Sequence, residues 1–205
     1  MTTIINLSRS VNGINDHICD LLAKEMAADS KSVNYIKTRD LKIDFCTNCR
    51  LCMKDPGNNL GRCHIHDDMD YVINALLKSK CVVVSAPINC YDLPSIIRVM
   101  LERMGGFCYW SDEMYAPKVR DVGRSMLGIL ITTSAMPGIM VPFTTNSRKS
   151  FKLFAKPLGI KRIHYCHLGF KGRKIDMRLN PGDMNKVKSI AKRICNHQGQ
   201  SIATA

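Results

Sequence analysis

Long apolar runs are missing from this sequence of 205 residues. The longest, at residues 126–131, has the length of a strand and falls far short of the roughly 18 residues that a membrane-spanning helix needs. The first residues also lack the basic stretch and apolar stretch of a secretory signal. No internal repeat or low-complexity segment is present. We therefore expect a cytoplasmic protein without a membrane segment.

Acidic residues are scarce in the second half of the chain. Residues 117–205 hold 17 lysines and arginines but 3 aspartates and glutamates, whereas residues 1–116 hold 13 and 14. A basic half of this kind can attract nucleic acid, the phosphates of a dinucleotide or an acidic electron-transfer protein, or it can be a solvated surface. No aromatic stacking pattern or nucleic-acid motif accompanies the charge, so we do not expect nucleic acid as a partner.

Cysteine, in contrast, is abundant, with ten residues. Disulfide frameworks are typical of short secreted chains, so we expect reduced thiols in a chain of this length. Four of them lie within 18 residues, at Cys46, Cys49, Cys52 and Cys63. Three cysteines at a spacing of three, with one more close behind, are typical of iron–sulfur clusters. Zinc bound with help from His64 or His66, and a cysteine loop without metal, remain alternatives.

Five β-rich segments alternate with helical patterns along the chain. They lie at residues 3–7, 32–36, 81–87, 126–132 and 162–170. Strands that alternate with helices predict an α/β fold with a doubly wound parallel sheet, and five strands favour the flavodoxin-like order 2-1-3-4-5. We expect a single domain over residues 1–197, with a cysteine-rich insertion at 45–66 and a frayed tail at 198–205.

Three loops follow strands that would be central in this sheet, at residues 8–15, 87–93 and 132–138. The first is rich in Ser, Asn and Gly and precedes a helix, an arrangement that binds phosphate through backbone N–H groups and the helix dipole. In doubly wound sheets, ligands bind beyond the carboxyl ends of the strands, where the strand order reverses. We therefore expect the three loops to form one site.

The first 140 residues or so resemble the iron–sulfur flavoproteins of the NAD(P)H-dependent FMN reductase family. The first loop of that family resembles G-S-P-R-x-x-G-N-[ST]. Here Ser8 and Gly13 match, whereas Ser10 replaces the arginine, which predicts weaker FMN binding, and Asn15 replaces the last hydroxyl residue. The second loop, S-P-V-Y in the family, keeps its proline here but has Asn89 in place of the tyrosine. The segment 133–138 resembles the family segment beside the flavin ring.

The resemblance implies an oxidoreductase or electron carrier that contains FMN and, on the four cysteines of the run, a [4Fe-4S] cluster. In cluster-binding relatives the fourth cysteine lies nearer to the third than the ten-residue gap here. The electrons would pass between NAD(P)H, or an acidic electron-transfer protein, and an acceptor. The residues expected to bind FMN are Ser8, Ser10, Asn12, Gly13, Asn15, Pro87, Ile88, Asn89, Cys90, Tyr91, Thr133, Ser134 and Gly138.

The resemblance also implies a homo-oligomer, either a dimer or a tetramer. Two alternatives remain for the function. One is a flavin-free, zinc-stabilised binding module that uses the basic face of the chain. The other is a metal-free FMN reductase with redox-active cysteines.

Overall fold

The computed structural model describes residues 1–121, 126–172 and 178–200. Its elements, in chain order, are β1 (Thr2–Asn6), α1 (Ile14–Ala28), β2 (Val33–Lys37), α2 (Met69–Leu77), β3 (Cys81–Pro87), α3 (Ile96–Arg103), β4 (Cys108–Tyr109), β5 (Lys118–Val119), β6 (Met126–Thr133), α4 (Val141–Thr144), α5 (Ser147–Ala155), β7 (Ile160–Leu168) and α6 (Pro181–Gln200). The five predicted strands all form, each within two residues of its predicted bounds. The predicted tail begins inside α6, and its residues 201–205 lie outside the described ranges.

The five long strands form one parallel sheet in the order β2-β1-β3-β6-β7. This confirms the predicted order 2-1-3-4-5, because β4 and β5 form a separate antiparallel pair. The sequence shows no strand signal for β4 and β5, because two-residue strands are too short to produce a periodic pattern. Strands β3 and β6 are apolar along almost their whole length because helices cover both faces of the sheet.

Two helical layers bury the two faces of the sheet. Ile4 and Val83 pack with α1 and α6 on one face, and Ile5 and Val84 pack with α2, α3 and α5 on the other. This division follows from the strand geometry, since successive side chains point to opposite faces. Among the described helices, none is both long and apolar enough to cross a membrane.

The strand order reverses at β1. The chain leaves β1 for β2 on one side of it, and later enters β3 on the other side. Because all five strands are parallel, the loops after β1, β3 and β6 emerge at the same edge of the sheet. The fold therefore brings together the three loops that the sequence singled out.

Candidate functional site

A cleft of about 460 Å³ opens at the carboxyl ends of β1, β3 and β6. Nine of the thirteen residues expected to bind FMN line it, namely Ser8, Ser10, Gly13, Asn15, Pro87, Ile88, Asn89, Thr133 and Ser134. The other four, Asn12, Cys90, Tyr91 and Gly138, are outside this lining. Residues outside that predicted set also line the cleft, including Arg9, Pro94 and Lys171. The three loops thus meet as the strand order predicts.

A buried carboxylate shapes the first loop. Asp16, in the first turn of α1, accepts hydrogen bonds from the Asn12 N–H at 2.7 Å and from Asn6 Nδ2 at 2.6 Å. Both terminal nitrogens of Arg39 donate to it as well, at 2.8 and 2.9 Å. Burial alone would raise the pKa of the Asp16 carboxyl, but the hydrogen bonds and charge of Arg39 hold that pKa below its ordinary value. Asp16 is therefore an ionised anchor with its charge neutralised.

Arg39 reaches this loop from the turn that follows β2. Its Nη1 also donates to the backbone oxygen atoms of Ser10, at 3.1 Å, and Ser8, at 3.4 Å. Arg39 therefore fixes the backbone of the first loop from the turn after β2, and it is outside the lining of the cleft. The sequence offered only a weak signal for this contact between Arg39 and the first loop. β2 pairs with β1, so a residue just after β2 must lie near the loop just after β1.

The N-terminus of α1 opens into the cleft. Gly13 is its N-cap and makes no side-chain capping hydrogen bond, so the first N–H groups of the helix have no side-chain partner there. A Cβ on Gly13 would lie 3.0 Å from Ser10 Cβ, which shows how tightly the loop turns. The N–H groups at a helix N-terminus and the helix dipole together attract anions. This end of the cleft is therefore suited to a phosphate group.

The Asn15 side chain ties α1 to the sheet. Its Nδ2 donates to Thr133 Oγ1 at 3.2 Å, and its Oδ1 accepts from Ser85 Oγ at 3.0 Å. Asn15 is almost fully buried. The side chain thus fixes the helix N-terminus against β3 and β6, and its polar atoms are engaged within the protein.

The second loop contains a tight turn in which two residues have an unusual backbone conformation. Cys90 and Tyr91 have φ angles of 48° and 63°, the left-handed region that disfavours most side chains. Asn89 and Asp92 flank them and exchange two backbone hydrogen bonds of 2.9 Å. The Asp92 carboxylate accepts from Ser150 Oγ at 2.8 Å, so α5 holds the turn in place. The turn directs Tyr91 into solvent, where 63% of its surface is exposed.

A histidine supports the third loop. His167, near the end of β7, lies with Nδ1 2.9 Å from Thr132 Oγ1 and with Nε2 3.2 Å from Ser134 Oγ. Ser134 lines the cleft. Burial lowers the pKa of His167, and the positive charges of Lys186 and Arg148 lower it further. Neutral His167 therefore positions the Ser134 hydroxyl, and the sequence analysis missed it because β7 was interpreted only as a strand.

Protonation of His167 is expected to destabilise the fold. Its folded pKa lies below the ordinary 6.5, so the unfolded chain binds the proton more readily and stability falls as the pH drops below about 6.5. The His167→Gln variant should lose less unfolding free energy between pH 7 and pH 5 than the unmodified chain, measured by urea denaturation. The variant His66→Gln, at an exposed position, is the control. An unchanged pH dependence in His167→Gln would contradict this role.

Neither a protein-family model nor a curated protein matches this sequence. Several solved structures do share its architecture. A flavone reductase superposes with a TM-score of 0.64 at 13% identity, over 96% of this chain and 62% of that one. An NAD(P)H:quinone oxidoreductase from Methanothermobacter marburgensis gives a TM-score of 0.61 at 11% identity, over 95% and 97% of the two chains. An FMN-dependent NADH-azoreductase from Bacillus anthracis, in complex with FMN, gives 0.58 at 13% identity, over 95% and 98%.

The fold is flavodoxin-like. This chain spans less than two thirds of the flavone reductase chain. In flavodoxin-like sheets, ligands bind in the crevice where the strand order reverses. The cleft between the loops after β1 and β3 occupies that place.

A second cavity, of about 410 Å³, lies where the cysteine-rich insertion at 45–66, called the cysteine segment below, folds over the end of α3. All four predicted metal ligands line it, namely Cys46, Cys49, Cys52 and Cys63. Burial raises the pKa of the Cys52 thiol, and the charges of the other three raise it further, because they lie close by. Cys49 Sγ lies 3.3 Å from His64 Nδ1. The structure thus brings the four cysteines to one cavity.

These thiols are not arranged around a single ion. In the ranges that the structure describes, no group of three or more His, Cys, Asp or Glu side chains lies close enough together to hold a metal ion. A zinc ion would need its thiolates at about 2.3 Å. A four-iron cluster is larger than an ion and would hold its cysteines further apart, around a space such as this cavity. The cluster therefore stays a prediction.

Two glycines let the cysteine segment close against α3. The Gly61 N–H donates to the Gly106 oxygen at 3.0 Å. A Cβ on Gly106 would lie 2.0 Å from the Gly61 oxygen, and a Cβ on Gly61 would lie 1.7 Å from the Cys52 oxygen. Arg120 fastens the same region by donating to the oxygens of Gly57, at 2.6 Å, and Gly106, at 3.1 Å. The chain beside the cavity is therefore packed backbone against backbone.

The Gly106→Ala variant should open this cavity. Its methyl group would overlap the backbone of Gly61, so the segment must move, and overpacking of this kind costs about 3 kcal/mol. Urea denaturation should show that loss in the free energy of unfolding. The matched control is Gly182→Ala in α6, where the nearest atom to a new Cβ is a side-chain oxygen at 3.4 Å. Equal stability of the two variants would show that the segment adapts without cost.

Proposed function

We propose that the protein is an FMN-dependent oxidoreductase that passes electrons from NAD(P)H, or from an acidic electron-transfer protein, to a quinone-like acceptor. The cleft carries this proposal, because three loops meet at the carboxyl ends of the central strands and at the N-terminus of a helix. The names of the similar structures support it. One is an FMN-dependent NADH-azoreductase with FMN bound, and another is an NAD(P)H:quinone oxidoreductase.

The residues of the cleft fit FMN. Its volume of about 460 Å³ lies in the usual range of small-molecule sites. The hydroxyls of Ser8 and Ser10, with the first N–H groups of α1, suit the phosphate, and Arg9 adds an exposed positive charge. The backbone of Pro87–Asn89 and the hydroxyl of Ser134 suit the polar edge of a flavin ring. FMN would supply the hydride and electron chemistry, while the chain binds it, orients it and excludes water.

The four-cysteine cavity supports a second part of the proposal, a [4Fe-4S] cluster on Cys46, Cys49, Cys52 and Cys63. All four thiols line a space large enough for such a group, and the surrounding backbone is closely packed. One observation favours a metal-free reductase as the alternative. Cys49 is in contact with His64, and a neighbouring histidine can activate a thiol for redox chemistry. A zinc-stabilised module without flavin lacks a single-ion site in the described residues.

We also propose a homo-oligomer. Ile139 and Phe143, which follow the third loop, expose 80% and 86% of their surface. Contiguous exposed apolar patches mark interaction sites, and these two side chains would contribute to one. Light scattering on the purified protein should give the mass of a dimer or tetramer, and a monomer at micromolar concentration would contradict this part.

One absorbance spectrum separates the functions. Anaerobically purified protein should show the bands of oxidised flavin, a broad iron–sulfur shoulder that dithionite bleaches, and about four irons per chain. NADH or NADPH should then reduce the flavin. A spectrum with flavin bands and a sample without iron would exclude the cluster and support the metal-free reductase. A colourless protein that contains zinc and does not bind added FMN would overturn the redox function.

A negative charge in the first loop should select against the phosphate of FMN. Ser10→Glu is expected to weaken FMN binding at least about tenfold, or 1.4 kcal/mol, since its carboxylate would face the phosphate. Riboflavin, which has no phosphate, should bind both forms equally. Val11→Glu adds the same charge at an exposed residue outside the lining and is the control. Isothermal titration calorimetry measures the six affinities, of the unmodified protein and both variants for FMN and for riboflavin. Equal losses for FMN and riboflavin would place the phosphate elsewhere.

A further inference from the structure

Arg103, the last residue of α3, holds the two ends of the cysteine segment together. Its Nη1 donates to Asp67 Oδ2 at 2.6 Å and to the Asp44 oxygen at 2.9 Å. Its Nη2 donates to Asp67 Oδ1 at 3.0 Å and to the Ile65 oxygen at 3.1 Å. The side chain is completely buried. These four bonds fix the plane and the position of the guanidinium.

One donor of this guanidinium is left over. Arginine has five N–H groups, and the four bonds above use the terminal nitrogens. Nε is buried and has no hydrogen-bond partner within the described part of the chain. Buried polar groups are rarely left unpaired, so an unpaired donor beside a cavity indicates an acceptor that belongs in the cavity.

Arg103 borders the cysteine cavity together with Cys63, whose thiol lies close enough to its guanidinium to influence it electrostatically. Thiolate and sulfide sulfurs are the acceptors that a cluster would place there. Hydrogen bonds to such sulfurs are among the factors that set the reduction potential of a cluster.

We propose that Arg103 donates a hydrogen bond from Nε to a sulfur of the cluster held by Cys46, Cys49, Cys52 and Cys63, and so makes that cluster easier to reduce. This inference rests on the proposed cluster. Reduction adds one electron to the cluster, and the donor stabilises the more negative product. In this scheme Arg103 does not ligate iron; it adjusts the reduction potential of the cluster through its hydrogen bond.

Arg50 provides a matched control. It borders the same cavity, but it is exposed and its guanidinium stacks on the ring of Trp110, with its carbon 4.1 Å from the ring centroid. Trp110 is the single tryptophan of the chain, so its fluorescence reports whether the region is folded in Arg103→Lys. Circular dichroism reports folding in Arg50→Lys, which alters the contact of the tryptophan itself. Lysine at either position keeps the positive charge and removes the guanidinium, which isolates the effect of the hydrogen bond.

The test is a redox titration of the iron-loaded protein, followed by the EPR signal of the reduced cluster. Arg103→Lys should lower the equilibrium constant for reduction at least tenfold, a shift of 59 mV to more negative potential for one electron. Arg50→Lys should change it less than threefold. An unchanged potential in a folded, iron-loaded Arg103→Lys variant would overturn the inference.

A second measurement covers the case in which Arg103→Lys fails to fold. The unmodified protein, grown with arginine labelled with ¹⁵N at Nε, should show a ¹⁵N hyperfine coupling to the reduced cluster in pulsed EPR. That coupling should persist in Arg50→Lys. A cluster without this coupling would overturn the role of Arg103 alone. Absence of iron from the unmodified protein, after anaerobic purification and reconstitution, would overturn the proposed cluster and the inference together.

Discussion

Replacing Asp67 with alanine is expected to lower the free energy of unfolding by about 3–5 kcal/mol, the usual cost of removing one partner from a buried ion pair. Asp67 and Arg103 expose 4% and 0% of their side chains, and two hydrogen bonds of 2.6 and 3.0 Å join them. Without the carboxylate, the guanidinium charge would remain buried and uncompensated. Urea denaturation followed by circular dichroism measures the loss.

The local geometry explains the size of this effect. Asp67 also accepts hydrogen bonds from the Asp44 N–H at 2.8 Å and the Met69 N–H at 3.0 Å. Burial alone would raise the pKa of the Asp67 carboxyl, but these bonds and those from Arg103 hold that pKa below its ordinary value. The carboxylate thus joins the start of the cysteine segment, the start of α2 and the end of α3.

Two further variants control this prediction. Asp70→Ala removes an exposed carboxylate from α2, 3.6 Å from His66, and should change stability by less than about 1 kcal/mol. Removing both charges, in Asp67→Leu with Arg103→Met, should recover part of the loss, since no buried charge then stays unpaired. A double variant as unstable as Asp67→Ala would show that the backbone contacts of Arg103, rather than its charge, hold the segment.

The sequence predicted the sheet well because the signal for it is local. Each long strand is a run of apolar or β-branched residues, and alternation with helices leaves few possible orders. It also predicted that four cysteines lie within reach of one metal centre, because their spacing along the chain limits their separation, and the four do line one cavity. Arg103 was not foreseen. In the sequence it is one polar residue in a helical pattern, and its partners Asp44, Ile65 and Asp67 lie 36 to 59 residues away along the chain.

In the cleft, too, the sequence predicted local features but not contacts between distant residues. Residues placed by the strand ends, such as Ser8 and Pro87, line it as expected. Cys90 and Tyr91 do not, because they form a left-handed turn that sequence reasoning expects only of Gly, Asn or Asp. His167 reaches the third loop from another strand, and strand pairing alone does not reveal which side chain will do so. What the sequence missed depends on the side-chain contacts between elements.

Replacing Asp16 with alanine is expected to weaken FMN binding at least about tenfold, or 1.4 kcal/mol, and to lower the free energy of unfolding by about 3 kcal/mol. Asp16 and Arg39 expose 5% and 9% of their side chains. The Asp16 carboxylate accepts a hydrogen bond from the Asn12 N–H and orients Arg39. Arg39 in turn donates to the backbone oxygens of Ser8 and Ser10. The first loop would lose its fixed shape, and FMN binding would then include the cost of ordering it.

Asp40 offers the control, because its exposed carboxylate also contacts Arg39, at 3.8 Å from Nε. Asp40→Ala should change the affinity for FMN less than twofold. Calorimetric titration, at a temperature where circular dichroism shows each variant folded, separates affinity from stability. Tighter FMN binding by Asp16→Ala would contradict the role assigned to Asp16 in shaping the first loop for FMN. It would mean that Arg39, once released from the carboxylate, binds the phosphate directly, and that Asp16 limits the affinity of the loop instead of creating it.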